Sequence, residues 1–77
     1  MEKETQKKYL KKLGNQIKKI RKEIDITQTE LASRTGGKGK DQQSIQRLES
    51  GKINPSYCYL LEIAKALNMT ISKLLDF

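Results

Sequence analysis

At 77 residues the chain has room for one small hydrophobic core, too small to wall off a deep catalytic cleft. Its 16 lysines and arginines against 9 acidic residues leave a net charge of +7, so it either meets a polyanion or simply carries a solvated cationic surface. With no histidine the usual imidazole base and zinc ligand are missing, a lone Cys58 excludes an intrachain disulfide, and no apolar run is long enough to cross a bilayer.

The N-terminus, MEKETQKKYLKK, lacks the apolar stretch of a secretory signal, which together with the lone thiol points to a reducing cytoplasm. Residues 1–9 read as a basic extension, either helical or a loose arm, ahead of one domain over residues 10–77. Leu10, Leu13, Ile17, Ile20 and Ile24 recur at three- and four-residue steps and predict a first helix with one apolar stripe. Lys11, Lys12, Lys18, Lys19 and Lys22 fall on its other faces. Gly14 costs that helix up to about 1 kcal/mol relative to alanine, which suits a point where another helix comes close. Asp25, tolerant of left-handed backbone, is the expected stop.

Thr27-Gln28-Thr29-Glu30 has the spacing of a capping box, so a second helix is expected from Gln28 to Arg34, burying Ile26, Leu31 and Ala32 and ending at Gly36. Asp41 is the next N-cap, for a third helix over Gln42–Ser50 with Gly51 beyond its end. Ile45 and Leu48 anchor that helix and leave Gln42, Gln43, Gln46 and Arg47 facing outward. Asn54-Pro55-Ser56 breaks the chain, and Ser56 caps a fourth helix with Leu60, Leu61, Ala64 and Leu67 on its apolar side. Asn68 ends it. Thr70 caps a short fifth helix whose Ile71, Leu74 and Leu75 close the core, with Phe77 either folded back or free for a contact with another chain. Of Tyr57 and Tyr59, one is expected in the core and the other at a contact surface. The expected fold class is all-α: five short helices and no strand.

Two short helices joined by a glycine-containing turn suit a helix-turn-helix unit, whose second helix enters the DNA major groove. Such a helix must expose polar side chains on one face while the other is held in a core, and helix three meets that need. Glutamine can bond adenine through N6 and N7 together, and arginine can bond guanine through O6 and N7. The segments IRKEIDITQTELASRT, QQSIQRLESGKINPS and LLEIAKALNMTISKLL resemble the phage repressor and Cro family of helix-turn-helix proteins, over about Leu13 to Leu75. The resemblance implies a five-helix repressor-like domain with the helix-turn-helix in helices two and three. It implies base contacts from Gln42, Gln43 and Arg47, with Gln46 on the same face. It further implies phosphate contacts from Gln28, Ser44 and the Ser50 to Ile53 segment, Lys52 included, and a structural ion pair between Arg21 and Glu49. The turn Gly36-Gly37-Lys38-Gly39-Lys40 is longer than the usual 3–4 residues. Lys38 and Lys40 therefore either reach flanking phosphates or are merely solvated.

The function so implied is a sequence-specific regulator of transcription, a repressor or autoregulator. It would act on a double-stranded DNA operator as a two-fold homodimer through helix four, helix five and Phe77. The location so implied is the cytoplasm of a bacterium or phage host, at the nucleoid. No ligand-binding domain is expected after helix five, so a signal is expected to act through concentration, oligomerisation or a protein partner. A restriction–modification controller is one setting and a toxin-binding antitoxin is the rival class. No enzymatic activity, metal or cofactor is expected: the glycine–lysine turn lacks the Gly-Lys-Ser/Thr order of a phosphate-cradling loop and follows a helix.

Overall fold

Helix α1 runs from Lys3 to Glu23 in the computed structural model, which describes residues 3–35 and 41–77. The stripe read from the sequence turns inward at Leu13 and Ile17, while Leu10 and Ile20 are half-buried. The residues assigned to an N-terminal extension are, from Lys3 onward, the first turns of this same helix. The chain leaves the helix after Glu23, and Asp25 takes φ 60°, the left-handed conformation expected of it. That early exit corrects the place of Ile24: it lies past the last helical turn and is 42% exposed.

Helix α2 spans Gln28–Arg34 and α3 spans Gln42–Glu49, one residue shorter than expected because Ser50 serves as the C-cap. Gly51 then takes φ 73°. Helix α4 covers Tyr57–Ala66, and Asn68 at φ 58° turns the chain into α5, Ile71–Leu74. The described residues form these five helices and no strand. Thr27, Asp41, Ser56 and Thr70 cap the last four helices. Each side-chain oxygen accepts from the backbone N–H three residues on, at 3.0, 2.9, 3.1 and 3.2 Å. The capping box at α2 is only half made. Glu30 donates its N–H to Thr27, but its carboxylate accepts from Arg34 Nε at 3.2 Å, one turn on, instead of reaching back. The expected cap at Gly36 lies outside the described residues, and Thr35 closes α2 through its N–H to the Ala32 carbonyl.

Ile17, Leu31, Ile45, Leu48, Ile63 and Leu74 are sealed from solvent, one or more from each helix, so a single core joins all five. The inward face of α4 is rotated from the expected one. Ile63 is buried with Leu60, Ala64 and Leu67, whereas Leu61 is 42% exposed. In α5, Leu74 is buried, Ile71 half-buried and Leu75 exposed. Tyr59 is the core tyrosine and Tyr57 the exposed one, at 63%. Burial raises the Tyr59 hydroxyl above the ordinary phenol range, with the Glu62 and Asp41 charges adding to it.

Candidate nucleic-acid interface

Helix α3 is divided cleanly. Ile45 and Leu48 are 0% and 1% exposed, while Gln42, Gln43, Gln46 and Arg47 all stand in solvent on its outer side. Among the described residues, the side chains of Gln43, Gln46 and Arg47 make no hydrogen bond, so their donors and acceptors are unspent. The helix is held at both ends. At the start, the Asp41 carboxylate accepts from the Ser44 N–H at 2.9 Å and from its hydroxyl at 3.1 Å. These bonds, the backbone one first, hold the Asp41 pKa below the ordinary carboxylate range. At the end, Ser50 donates its hydroxyl to the Gln46 carbonyl at 2.6 Å.

A chain of polar contacts ties this face to the rest of the fold. Arg21 meets Glu49 in a two-pronged pair, Nε to Oε2 at 2.7 Å and Nη2 to Oε1 at 3.0 Å, with both side chains almost buried. The hydrogen bond with Glu49 keeps the guanidinium pKa raised against its burial. The third prong of Arg21 donates from Nη1 to the Ile26 carbonyl at 2.8 Å, fixing the turn into α2. Gln28 then donates from Nε2 to Glu49 Oε1 at 3.1 Å, and its Oε1 accepts from Gln42 Nε2 at 2.7 Å. One line of bonds therefore runs from α1 through α3 and α2 to the first exposed amide of α3. Gln42 keeps one N–H and its Oε1 for a ligand, and Gln28 keeps one N–H.

The backbones of α1 and α3 come close enough that a Cβ added at Gly14 would lie 2.6 Å from the Leu48 carbonyl oxygen and closer still to that of Glu49. Glycine at 14 is thus a requirement of the contact. Beyond α3 the loop is also close, though less so: a Cβ on Gly51 would lie 3.0 Å from the Lys11 backbone.

Of the residues singled out from the sequence, Gln28, Gln42, Gln43, Ser44, Gln46, Arg47, Ser50 and Lys52 lie in or beside α2 and α3, and Arg21 and Glu49 lie beneath them. Lys52 is exposed in the loop after α3. Lys38, Lys40 and the rest of the long turn lie outside the described residues. Sequence reasoning missed two features: the Gln28–Gln42 bond, and a groove in which Lys11, Asn15 and Lys18 of α1 face Gln28, Gln46 and Ser50. The spacing of 11, 15 and 18 beside Gly14 is the signal that would have found the second. Among the described residues no cluster of His, Cys, Asp or Glu has the makings of a metal site, and no helix is long and apolar enough to cross a membrane.

Three comparisons bear on this arrangement. A helix-turn-helix family model matches residues 17–74. The chain is 37% identical over 65 residues to an HTH-type transcriptional regulator of Archaeoglobus fulgidus, covering 84% of this chain and 87% of that one. It is 35% identical over 60 residues to the HTH-type transcriptional regulator y4dJ of Sinorhizobium fredii, covering 78% and 74% respectively. Among solved structures it is similar to the restriction-modification controller protein C.AhdI of Aeromonas hydrophila. There the TM-score is 0.80 at 26% identity, over 88% of this chain and 94% of that chain.

Proposed function

The chain belongs to the helix-turn-helix family of DNA-binding transcriptional regulators, and from that premise we propose that it binds an operator by laying the outer face of α3 in the major groove. The observation that carries this reading is the division of α3, with four unshielded polar side chains on one side and two sealed apolar anchors on the other. Gln42, Gln43, Gln46 and Arg47 read base edges. Gln42 offers an adenine its Oε1 and its remaining N–H while Gln28 holds its second hydrogen, so the amide meets the base already oriented.

Gln28, Ser44, Ser50 and Lys52 hold phosphates on the same side. The Ser50 hydroxyl exchanges a neutral carbonyl acceptor for a phosphate oxygen, a trade toward a stronger, charge-assisted bond, and Ser44 exchanges one anionic acceptor, the Asp41 carboxylate, for another. Lys38 and Lys40 add flanking phosphate contacts from the turn. Arg21 and Glu49 touch no DNA in this reading and act by fixing the seat of α3.

One such unit reads few base pairs, so the operator is bound by a two-fold homodimer with half-sites about one helical turn apart. The exposed apolar side chains of Tyr57 and Leu61 on α4, with Leu75 and Phe77 at the C-terminal end, favour that part of the chain as the contact. The protein works in the cytoplasm as a repressor or autoregulator, with no catalytic step. The likeness to a restriction-modification controller favours that setting over others.

Selection of preferred duplexes from a random pool tests the whole reading, because it reports base preference, half-site spacing and symmetry together. Alanine at Gln42, Gln43 or Arg47 is expected to relax preference at one base position each, by about 1–3 kcal/mol. Alanine at Gln28 weakens binding to all sequences through the lost phosphate contact, and it also blunts preference at the position read by Gln42, whose amide it holds. Preference left intact by alanine at all three of the former positions removes α3 as the reading surface.

A further inference from the structure

Helix α1 is longer than its packing needs. Its buried residues begin at Leu13, and of the turns before it only Gln6 and Leu10 are even half-buried. Those turns carry five lysines, Lys3, Lys7, Lys8, Lys11 and Lys12, against Glu4, and part of that charge is aligned. Lys3, Lys7, Lys11, Asn15, Lys18 and Lys22 follow one another at steps of four, four, four, three and four, so they form a single stripe along the helix, all exposed. Among the described residues the ion pairs are Arg21–Glu49 and Arg34–Glu30, so no lysine of the stripe is neutralised by one.

The stripe lies beside α2 and α3 from Lys11 to Lys22 and beside the loop after α3 from Lys3 to Lys11. Lys22 lies in a groove with Arg21, Asp25, Gln28 and Gln42. Lys11, Asn15 and Lys18 share the next groove with Gln28, Gln46, Ser50 and Glu49, whose carboxylate is taken up by Arg21 and Gln28. In a third groove, Lys3, Lys7, Lys8 and Lys11 stand opposite Lys52, with no carboxylate in the lining. Gln28 lines the first two grooves, and Lys11 and Ser50 the last two, so the three adjoin in a row along α1. The close approach of Gly51 to the Lys11 backbone locks the far end of that row, bringing Lys52 beside α1.

We propose that this lysine stripe on α1, together with Lys52, is a second, rigid DNA-binding edge that grips the sugar–phosphate backbone flanking the bases read by α3. The inference rests on the reading of α3 given above and extends it to the length of DNA engaged. From Lys3 to Lys22 the stripe measures ~29 Å, against ~12 Å for α3, at about 1.5 Å per residue. The excess corresponds to about five base pairs, since phosphates on one strand advance about 3.4 Å along the duplex axis. A row of ammonium groups on a helix presents point charges with no base selectivity, so this edge adds affinity and footprint rather than sequence preference.

The test compares two charge-matched variants of the full chain on a preferred duplex taken from the random pool. One is Lys7→Gln/Lys11→Gln/Lys18→Gln, on the stripe. The other is Lys12→Gln/Lys19→Gln/Lys65→Gln, away from it. Affinity is measured against salt on a duplex trimmed to the bases under α3 and on one extended by ten base pairs on each side. Loss of three phosphate contacts lowers the slope of log affinity against log salt by about 2–3 and weakens binding about tenfold or more on the long duplex. The stripe variant is also expected to gain less from the longer flanks than the unaltered chain does. The matched variant keeps most of the slope and still prefers the long duplex.

Equal slopes for the two variants overturn the proposal. So does hydroxyl-radical footprinting of the unaltered protein that finds no protected sugars beyond the selected bases, a measurement that depends on no variant folding. The two readings fail separately. Base preference with matched slopes leaves α3 as the reader and removes the stripe, whereas a stripe-dependent slope with no base preference keeps the edge and removes the reader.

Discussion

The seat of α3 and the α4–α5 base of the domain are both buried, but they are built from different physics. Around α3 the contacts are directional: the Arg21–Glu49 pair, the Gln28 bridge and a helix crossing that admits glycine alone at position 14. Around α4 and α5 apolar volume dominates, with Ile63 and Leu74 in the common core beside Leu31 and Ile17, and the directional contacts are peripheral: Arg34 Nη1 donates to the Ala66 carbonyl at 3.3 Å and Gln16 Nε2 to that of Asp76 at 3.4 Å. A non-directional contact stabilises without fixing orientation to a fraction of an ångström. The bidentate pair and the close backbone approach do fix it, and they are found under α3, the helix proposed above as the DNA reader.

Removing Glu49 should break this contrast most sharply. Glu49→Ala leaves Arg21 buried and unpaired and is expected to cost about 3–5 kcal/mol, read by chemical denaturation. The more telling variant is Arg21→Met/Glu49→Leu, in which the charges leave together. Replacing a buried ion pair by apolar groups is often neutral or stabilising, so most of the lost stability should return. DNA affinity should not return with it, because Gln28 has lost its acceptor and no longer holds Gln42 from beneath. Recovery of both would mean that the pair stabilises the fold and does not position the reading face.

On the apolar side, Ile63→Ala should cost about 2–5 kcal/mol, and Ile63→Val only about 0.5–1.5 kcal/mol. Neither removes a directional contact to α3. The fraction of protein that remains folded should therefore bind DNA as the unaltered chain does, in titrations corrected for the unfolded population. Affinity that falls beyond that correction would show that α4 helps set the pose of α3. Between these extremes stands Gly14→Ala, expected to cost about 1–3 kcal/mol by overpacking. It should also weaken DNA binding, since α3 must move away from α1 to admit the methyl group.

How much of this was legible in the sequence follows the same division. Caps and stops were readable because they depend on one or two local residues: Thr27, Asp41, Ser56 and Thr70 start helices, and Asp25 and Asn68 take the left-handed turns that end them. Gly14 was readable as a close approach because glycine inside a helix needs some reason. The face of α4 was not, because Leu60, Leu61, Ile63, Ala64 and Leu67 make it apolar on more than one side, and spacing alone does not choose between Leu61 and Ile63. Nor was the half-made capping box, since Glu30 has two suitors, the Thr27 N–H behind it and Arg34 ahead, and local spacing allows both. The outward residues of α3 followed from Ile45 and Leu48, but the Gln28–Gln42 bond joins residues fourteen apart and needs the tertiary turn.

The smallest expected effect lies at the exposed start of α3, and its sign follows from Asp41. Its carboxylate accepts from the Ser44 N–H and hydroxyl, which holds its folded pKa below the unfolded one. A group lowered on folding adds stability that is fully present above its unfolded pKa, about 3.9, and is lost as pH falls through the folded value. The first turn of α3 should therefore loosen in acid, seen as faster exchange of the Ser44 amide, while nothing changes near neutrality. Asn is as good an N-cap as Asp but does not titrate there. Asp41→Asn should keep the cap at neutral pH and lose its share of the acid dependence. An acid response of the same size in that variant would remove Asp41 as its source.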